Sequence, residues 1–251
     1  MGRLKYPALL ILVAGALGLG YFVFSMRLPP TLEFQDRQFP KGFRNLVLKR
    51  PTSRFDPTVA FPQKPFDDAA PTQDALELCN ELFRDPHSPT AGRPDYQIQL
   101  VTFLDYRCPY CRTLTNIMSN MQPNVRITYK EWPILGDSSV LAARAALAAH
   151  QQGKYLEFHT RLMNTRLVPT TSYIEEIASE LGMNLTQLRD DMGSDATTLE
   201  IKRTSTLASA LGFIGTPALV VGRTIVEGEI TRVQLGLVIE GEMRQQSPRT
   251  C

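Results

Sequence analysis

The chain has 251 residues, of which 43% are hydrophobic and 21% charged, a composition typical of a globular protein that can bury a sizeable core. Its formal net charge of only +2 excludes the strongly basic surface that nucleic-acid binding needs, so we expect no nucleic-acid partner. Four cysteines in this length are too few for a disulfide-dense scaffold.

Residues 1–25 have the pattern of a targeting segment. Arg3 and Lys5 precede an apolar stretch at 7–24, which is about long enough to cross a bilayer and also fits the apolar region of a signal peptide. The basic residues keep the N-terminus in the cytoplasm and direct the rest of the chain across the membrane. The sequence therefore predicts a signal anchor or a cleaved signal peptide, and in both cases an oxidising compartment for the remainder.

Residues 26–95 are predicted to form a proline-rich tether and a short helix. Prolines recur between positions 29 and 71 and exclude a long helix, and apolar residues show no sustained period. We interpret 26–72 as a tether with a few docked aromatic side chains rather than as a second domain. A short helix at 71–83 and a loop at 84–95 complete this segment.

The compact domain is predicted to span 96–246 and to begin with a β-α-β unit. An apolar run at 96–104 is typical of a buried strand, a helix is predicted from 108 to about 121, and alternation at 125–131 indicates a second strand. Because the sequence CPYC begins at residue 108, two cysteines lie at the strand-to-helix turn of this unit.

Several helices and a β-β-α unit follow. Amphipathic or alanine-rich segments predict five helices within a stretch at about 137–212. Short apolar runs at 218–221 and 223–226 predict two strands, and a last helix is predicted at about 231–245. This order indicates an α/β domain in which a helical insertion separates a β-α-β half from a β-β-α half.

The two cysteines, separated by Pro109 and Tyr110, form a CxxC motif that can exchange a disulfide with another protein. At a helix start, unpaired backbone N–H groups and the macrodipole lower the pKa of the first cysteine. We predict that Cys108 is a partly exposed nucleophile and that the more buried Cys111 resolves the mixed disulfide. Pro109 suits the first helical turn, and Tyr110 is predicted to tune the redox poise. An inert structural disulfide is the alternative.

Four segments carry a resemblance to a known family. They are FLDYRCPYC at 103–111, YKEWPILG at 129–136, the alanine-rich helix after it, and LGFIGTPALVVG at 211–222. With Gly-Thr-Pro placed at the start of a later strand, the domain resembles the DsbA family of secreted thiol–disulfide oxidoreductases, in the branch that includes the ScsC and BdbD-like proteins. The resemblance implies a thioredoxin-like α/β fold with a helical insertion.

The resemblance also implies where a client protein binds. Pro217 would be the cis proline that faces the CxxC motif in this fold, and Thr216 would offer backbone groups to an extended client segment. We expect the client surface to be apolar and groove-like, built from Tyr106, Tyr110, Trp132 and the Thr216–Pro217 strand.

The family pattern leaves the proton relay of the site unassigned. Thr102 stands six residues before Cys108, where many thioredoxin-fold enzymes carry a buried acid, and a threonine cannot take that role. The candidates for a proton relay are Asp105, expected near the surface of the site, and Glu131, expected to approach the CxxC motif from the neighbouring strand end. For both, a solvated or capping carboxylate is the alternative.

The remaining cysteines and histidines receive no catalytic role. We interpret Cys79 as a small core residue and Cys251 as a free or interchain thiol, with a Cys79–Cys251 disulfide as the alternative. The lone cysteines lack the paired spacing of a zinc site, so no metal is predicted. No dissociable cofactor is expected, because the cysteine pair is itself the redox centre. The three histidines have no visible nucleophile partner: His87, His150 and His159.

The sequence therefore predicts an extracytoplasmic thiol–disulfide oxidoreductase of the bacterial periplasm or cell-envelope exterior, tethered to the inner membrane or secreted. Its clients are expected to be unfolded or cysteine-containing exported proteins, and a membrane or periplasmic redox partner must reset the cysteine pair. Thr216 is frequent among isomerase-like relatives and leaves the direction open. The alternatives are an isomerase or reductase kept reduced by a partner, and a non-catalytic, chaperone-like binding module.

Overall fold

A computed structural model describes residues 31–48, 75–119 and 124–245. The predicted targeting segment, most of the predicted tether and Cys251 lie outside these ranges. Among the helices that are described, none combines the length and the apolar character needed to cross a bilayer.

The described strands form one mixed seven-stranded sheet in the order β1-β2-β7-β6-β4-β5-β3. Strand β4 lies at its centre, pairs in parallel with β5 and antiparallel with β6, and is buried along its whole length. Apart from Gln99 and Thr102 this strand is apolar, because other elements cover both of its faces. The strands are β1 (Glu33–Asp36), β2 (Arg44–Val47), β3 (Thr90–Ala91), β4 (Ile98–Leu104), β5 (Val125–Glu131), β6 (Ala218–Val221) and β7 (Thr224–Glu227).

Eight helices accompany the sheet in the described ranges. They are α1 (Ala75–Phe83), α2 (Pro109–Met118), α3 (Asp137–Gln151), α4 (Tyr155–Asn164), α5 (Thr171–Glu180), α6 (Leu185–Gly193), α7 (Asp195–Ala210) and α8 (Arg232–Arg244). The units β4–α2–β5 and β6–β7–α8 are the two predicted halves, and α3 to α7 form the predicted insertion between them. Both predictions are confirmed.

The helical insertion is organised around α3. Most of the buried residues of α3 are alanines, whose small side chains let α4, α6 and α7 pack closely against it. Polar side chains mark where the following helices begin: Thr170, Asn184 and Ser194 are the N-cap residues of α5, α6 and α7, and each accepts a hydrogen bond from a backbone N–H of the first turn.

The predicted tether contains two strands of the same sheet, so the tether interpretation is wrong for residues 33–36 and 44–47. Strand β2 pairs in parallel with β7, and β1 pairs antiparallel with β2 at the sheet edge. The Arg44 guanidinium donates to Thr224 Oγ1 (2.9 Å) and to the buried carboxylate of Glu242 (2.8 Å), which joins β2 to β7 and α8. The pairing of β2 with β7 depends on backbone groups of β7 and on this ion pair. A local pattern of apolar residues therefore does not predict it.

Candidate active site

The cysteine pair lies at the junction of β4 and α2. Strand β4 ends at Leu104, and Cys108 is the N-cap residue of α2 with an extended backbone (φ −79°, ψ 116°). Pro109 opens the helix favourably because its missing N–H would have no partner within the helix. Cys111 follows on the buried side of α2. The central strand thus places Cys108 at the positive end of the helix dipole.

The Cys108 sulfur contacts the segment that precedes β6. Its Sγ lies 3.2 Å from the carbonyl oxygen of Thr216, and the Thr216–Pro217 peptide bond is cis. The predicted juxtaposition of the CxxC motif and a cis proline is confirmed. Both cysteines are free thiols, and only 4% of Cys108 is exposed. The prediction of a partly exposed nucleophile is therefore wrong for this arrangement, because the Thr216 segment contacts the sulfur.

The two thiols differ strongly in acidity. The pKa of Cys108 is lowered to about 6, chiefly because Cys111 donates a hydrogen bond to its sulfur. Thr216 and backbone N–H groups lower this pKa further, whereas burial raises it. The pKa of Cys111 is raised well above its ordinary value by burial and by its interaction with Cys108. At neutral pH one sulfur is therefore a thiolate and the other is a thiol that donates to it, the pairing that thiol–disulfide exchange requires.

Pro109 and Tyr110 separate the cysteines at the protein surface. Pro109 is exposed and Tyr110 is half-buried. The backbone N–H of Tyr110 is one of the groups that lower the pKa of Cys108. Tuning of the redox poise by the Tyr110 side chain stays a prediction.

Tyr106 and Trp132 are buried, so the prediction that they form an exposed client surface is wrong. Trp132 packs against Phe103 and Phe213, with ring centroids 6.3 and 6.4 Å away, in the apolar core. The Tyr106 hydroxyl points inward and donates to the Glu131 carboxylate at 2.9 Å. These large aromatic residues pack in the core beside the CxxC motif, because burying their rings stabilises the folded protein.

Exposed apolar side chains nevertheless flank the cysteine pair, and the sequence analysis missed them. Ile214, two residues before Thr216, is 75% exposed. Leu135 is also exposed, and its carbonyl oxygen accepts a hydrogen bond from Arg107, the residue before Cys108. Both lie within the segments that carry the family resemblance, so the sequence could have placed them near the CxxC motif. They, and not Trp132, are apolar side chains that are exposed beside the CxxC segment.

Asp105 is buried and structural, so the expectation that it lies near the surface of the site is wrong. Its carboxylate accepts hydrogen bonds from the backbone N–H groups of Arg107 (2.7 Å), Ile134 (2.8 Å) and Leu135 (2.9 Å) and from the Ser139 hydroxyl (2.7 Å). It therefore joins the loop before α2 to the loop after β5. The capping alternative is the one that the structure supports.

Glu131 is buried at the end of β5, and its hydrogen bonds go to tyrosines rather than to a cysteine. The Tyr155 hydroxyl donates to Oε1 at 2.6 Å, alongside Tyr106. Burial raises the pKa of Glu131 to about 8 in spite of these hydrogen bonds. Thr102 is also buried, and its hydroxyl has no hydrogen-bond partner within the described residues. The hydrogen bonds of Glu131 thus reach the CxxC segment through Tyr106, and a proton relay through Glu131 stays a prediction.

His159 is a buried neighbour of Glu131 that no sequence pattern indicated. Its Nδ1 lies 2.8 Å from the Tyr106 hydroxyl, and its ring stacks on Tyr155 with centroids 5.3 Å apart. Burial lowers the pKa of His159 to about 3, so the ring is neutral. Only the packing of α4 against α2 and β5 brings this histidine to the site.

Cys79 is buried in the core, as interpreted, and it is also disulfide-bonded, which only the alternative had included. Cys251 lies outside the described residues. Within residues 31–48, 75–119 and 124–245, no group of three or more His, Cys, Asp or Glu side chains is arranged to hold a metal ion.

Comparisons with known proteins agree with this geometry. The DSBA-like thioredoxin domain matches residues 99–235. A thioredoxin-like oxidoreductase from Silicibacter pomeroyi DSS-3 is 41% identical, with a TM-score of 0.62, over 66% of this chain and 97% of the other. A periplasmic thioredoxin-like protein from Salmonella enterica serovar Typhimurium is 30% identical, with a TM-score of 0.63, over 68% of this chain and 98% of the other.

The curated relatives are more distant and differ in how much of them is matched. A probable disulfide bond formation protein D from Bacillus anthracis is 24% identical over 59% of this chain, which spans 76% of that protein. A Na(+)/H(+) antiporter NhaA from Herminiimonas arsenicoxydans is 24% identical over 61% of this chain, which spans only 25% of its length.

Proposed function

Because this chain belongs to the DSBA-like thioredoxin domain family, we propose that it is an extracytoplasmic thiol–disulfide oxidoreductase that exchanges disulfides with cysteine-containing exported proteins. The observation that carries the proposal is the state of Cys108. Its sulfur has a pKa of about 6, accepts a hydrogen bond from Cys111, and lies 3.2 Å from the Thr216 carbonyl oxygen. Such a thiolate is both a nucleophile and a good leaving group.

The reaction begins with the pair oxidised. A client thiolate attacks the Cys108 sulfur, the Cys108–Cys111 bond breaks, and Cys111 leaves as a thiolate that takes up a proton because its pKa is raised. A second client thiolate then attacks the client sulfur of the mixed disulfide and releases Cys108 as a thiolate. The client gains a disulfide, and two electrons pass to the cysteine pair.

The direction of net transfer follows from how strongly the reduced pair is stabilised. A pKa of about 6 for Cys108 lies between the values of about 7 for thioredoxin and about 3.5 for DsbA. We therefore expect a reduction potential between roughly −270 and −120 mV. A potential near the lower limit would favour the alternative, a reductase or isomerase that runs the same steps in reverse.

The remaining parts of the proposal concern partners and place. The cysteine pair is the redox centre, so the exchange needs no dissociable cofactor, but a membrane or periplasmic redox partner must reset the pair after each turnover. A periplasmic location is supported by the similar Salmonella protein, which is described as periplasmic, and by the targeting pattern of residues 1–25. Tethering to the inner membrane through residues 7–24 is part of the same proposal.

The test is to capture the mixed disulfide. In Cys111→Ser, the resolving thiol is gone, so incubation with a peptide carrying one activated cysteine should leave the peptide attached to Cys108 through a bond that dithiothreitol cleaves. The matched control, Cys108→Ser, should capture none, because Cys111 is buried and protonated. Equal capture by both variants, or a wild-type pair with no reversible dithiol couple in glutathione buffers, would exclude the enzyme and favour the binding module.

A further inference from the structure

A buried cluster of polar side chains connects the two ends of the CxxC segment. It consists of Tyr106, Thr115, Glu131, Tyr155 and His159, and all five are buried. The phenols of Tyr106 and Tyr155 contact both Glu131 Oε1 (2.9 and 2.6 Å) and His159 Nδ1 (2.8 and 3.3 Å), and Thr115 Oγ1 lies 3.4 Å from His159 Nε2. We call these residues the Glu131 cluster.

The Glu131 cluster contacts the redox segment on both sides. Tyr106 stands two residues before Cys108, and Thr115 stands one helical turn after Cys111, on the buried side of α2. His159 is the one member that contacts both of them. A rearrangement of the hydrogen bonds of His159 therefore changes contacts of Tyr106, before the cysteine pair, and of Thr115, after it.

Counting protons shows that the cluster has two arrangements. Each phenol has one proton to donate. When Glu131 is ionised, both phenols donate to Oε1, so the 2.8 Å contact between Tyr106 and His159 is made only if Nδ1 carries the ring proton. The unprotonated Nε2 then accepts a hydrogen bond from Thr115.

The second arrangement holds when Glu131 is protonated. Oε2 has no partner among the described residues, so the proton belongs on Oε1, where it is donated to the Tyr106 oxygen at 2.9 Å while Tyr155 still donates to Oε1 at 2.6 Å. Tyr106 then gives its own proton to His159 Nδ1 at 2.8 Å, and the ring proton is carried on Nε2, which donates to Thr115. Loss of one proton from Glu131 to solvent therefore reverses the donors from Glu131 through Tyr106 and His159 to Thr115, whereas Tyr155 donates to Oε1 in both arrangements.

We propose that Glu131 and His159 are positioning residues for thiol–disulfide exchange, which couple the protonation of one buried carboxyl to the hydrogen bonds of Tyr106 and Thr115 on either side of the cysteine pair. The inference rests on the proposed function, and it assigns the site a second titrating unit besides the Cys108 thiol.

The environment of the cluster leaves Glu131 as the one member that changes its protonation state between pH 6 and 10. Burial raises the pKa of Glu131 to about 8, and the negative charge of Asp105 adds to this effect, whereas His159 stays neutral because burial lowers its pKa to about 3. The titratable groups that face the cluster from neighbouring elements are Asp105 before α2, Tyr129 on β5 and His150 on α3. The nearby cation Arg112, on α2, donates instead to the carbonyl oxygens of Met163 and Thr165 at the end of α4.

The tautomer of His159 tests the inference directly. The full chain, oxidised so that the cysteine pair does not titrate, is labelled with 15N-histidine, and the His159 signals are identified by their loss in His159→Gln. In the wild type, the ring proton should move from Nε2 to Nδ1 as the pH rises, with a midpoint near 8. In Glu131→Gln, which cannot ionise, His159 should keep one tautomer from pH 6 to 10.

Two further variants guard against a misfolded Glu131→Gln protein. Tyr155→Phe removes a donor that stabilises the carboxylate, so the midpoint should rise by about one pH unit or more. The control Tyr129→Phe changes a ring that packs against His159 and Tyr155 outside the hydrogen-bond chain, and its midpoint should equal that of the wild type.

A His159 tautomer that is constant from pH 6 to 10 in the wild type, or that switches equally in Glu131→Gln, overturns the inference. The exchange rate of the wild type should also show a transition near pH 8 that Glu131→Gln lacks, in addition to the one near pH 6 from Cys108. A protein that switches tautomer but exchanges no disulfide would refute the proposed function alone, so the two failures are distinguishable.

Discussion

Replacing Cys111 by alanine should make Cys108 a weaker acid. The hydrogen bond from Cys111 is the largest of the effects that lower the pKa of Cys108 to about 6, ahead of Thr216 and the backbone N–H groups. Alanine removes this donor and leaves the helix N-terminus in place. The experiment therefore separates the contribution of the second thiol from that of the backbone.

The size of the effect follows from the strength of a hydrogen bond to a charged acceptor. Such a bond contributes about 1.5–3 kcal/mol, which corresponds to about 1–2 pKa units. The pKa of Cys108 should rise from about 6 to about 7–8 in Cys111→Ala. At pH 7 its thiolate fraction should then fall from about 90% to between about 10% and 50%.

The assay is the rate of Cys108 alkylation by iodoacetamide as a function of pH, checked by the ultraviolet absorbance of the thiolate. Cys111→Ser is the matched control, because its hydroxyl keeps a donor next to the sulfur and should hold the pKa closer to 6 than alanine does. A Cys111→Ala protein that still titrates near pH 6 would refute the reasoning and assign the acidity of Cys108 to the helix N-terminus.

Two further predictions concern stability, measured by urea unfolding of the oxidised protein. Asp105→Ala should lower the free energy of unfolding by about 3–5 kcal/mol, since it leaves the N–H groups of Ile134 and Leu135 without their acceptor. The control Asp95→Ala, which removes an exposed ion pair, should not change the free energy of unfolding measurably. Glu131 keeps its proton up to about pH 8 when folded but loses it near 4.5 when unfolded, so the wild type should lose roughly 5 kcal/mol between these pH values. Glu131→Gln should abolish that loss, and an unchanged slope would contradict the raised pKa.

The family and the chemistry of this chain are readable from short segments. The resemblance to the DsbA family, carried by the CxxC motif, the YKEWPILG segment and the Gly-Thr-Pro sequence, is confirmed by the match over residues 99–235. The order of strands and helices within residues 96–246 is also confirmed, because buried strands such as β4 and the alanine-rich helix α3 have strong local patterns, whereas β3 lies in the predicted loop at 84–95.

The errors share a physical cause. Trp132 and Tyr106 lie in the segments next to the CxxC motif, as predicted, but both are buried. Whether an aromatic ring is exposed depends on the residues that pack against it in the folded protein. Strands β1 and β2 are short and polar, and they form because β7 offers unpaired backbone groups. Asp105 is drawn inward by the N–H groups of a loop about thirty residues later in the chain.

The sequence by itself determined the reacting atoms, because a CxxC motif at a helix start needs only local geometry to form a reactive thiol. The resemblance to the DsbA family further identified the proline that faces them. Only the tertiary structure decided how acidic Cys108 is, which carboxyl is buried, and that His159 lies beside it. Burial and hydrogen bonding set these properties, and both depend on partners that are distant in the chain and become neighbours only when the helices pack on the sheet.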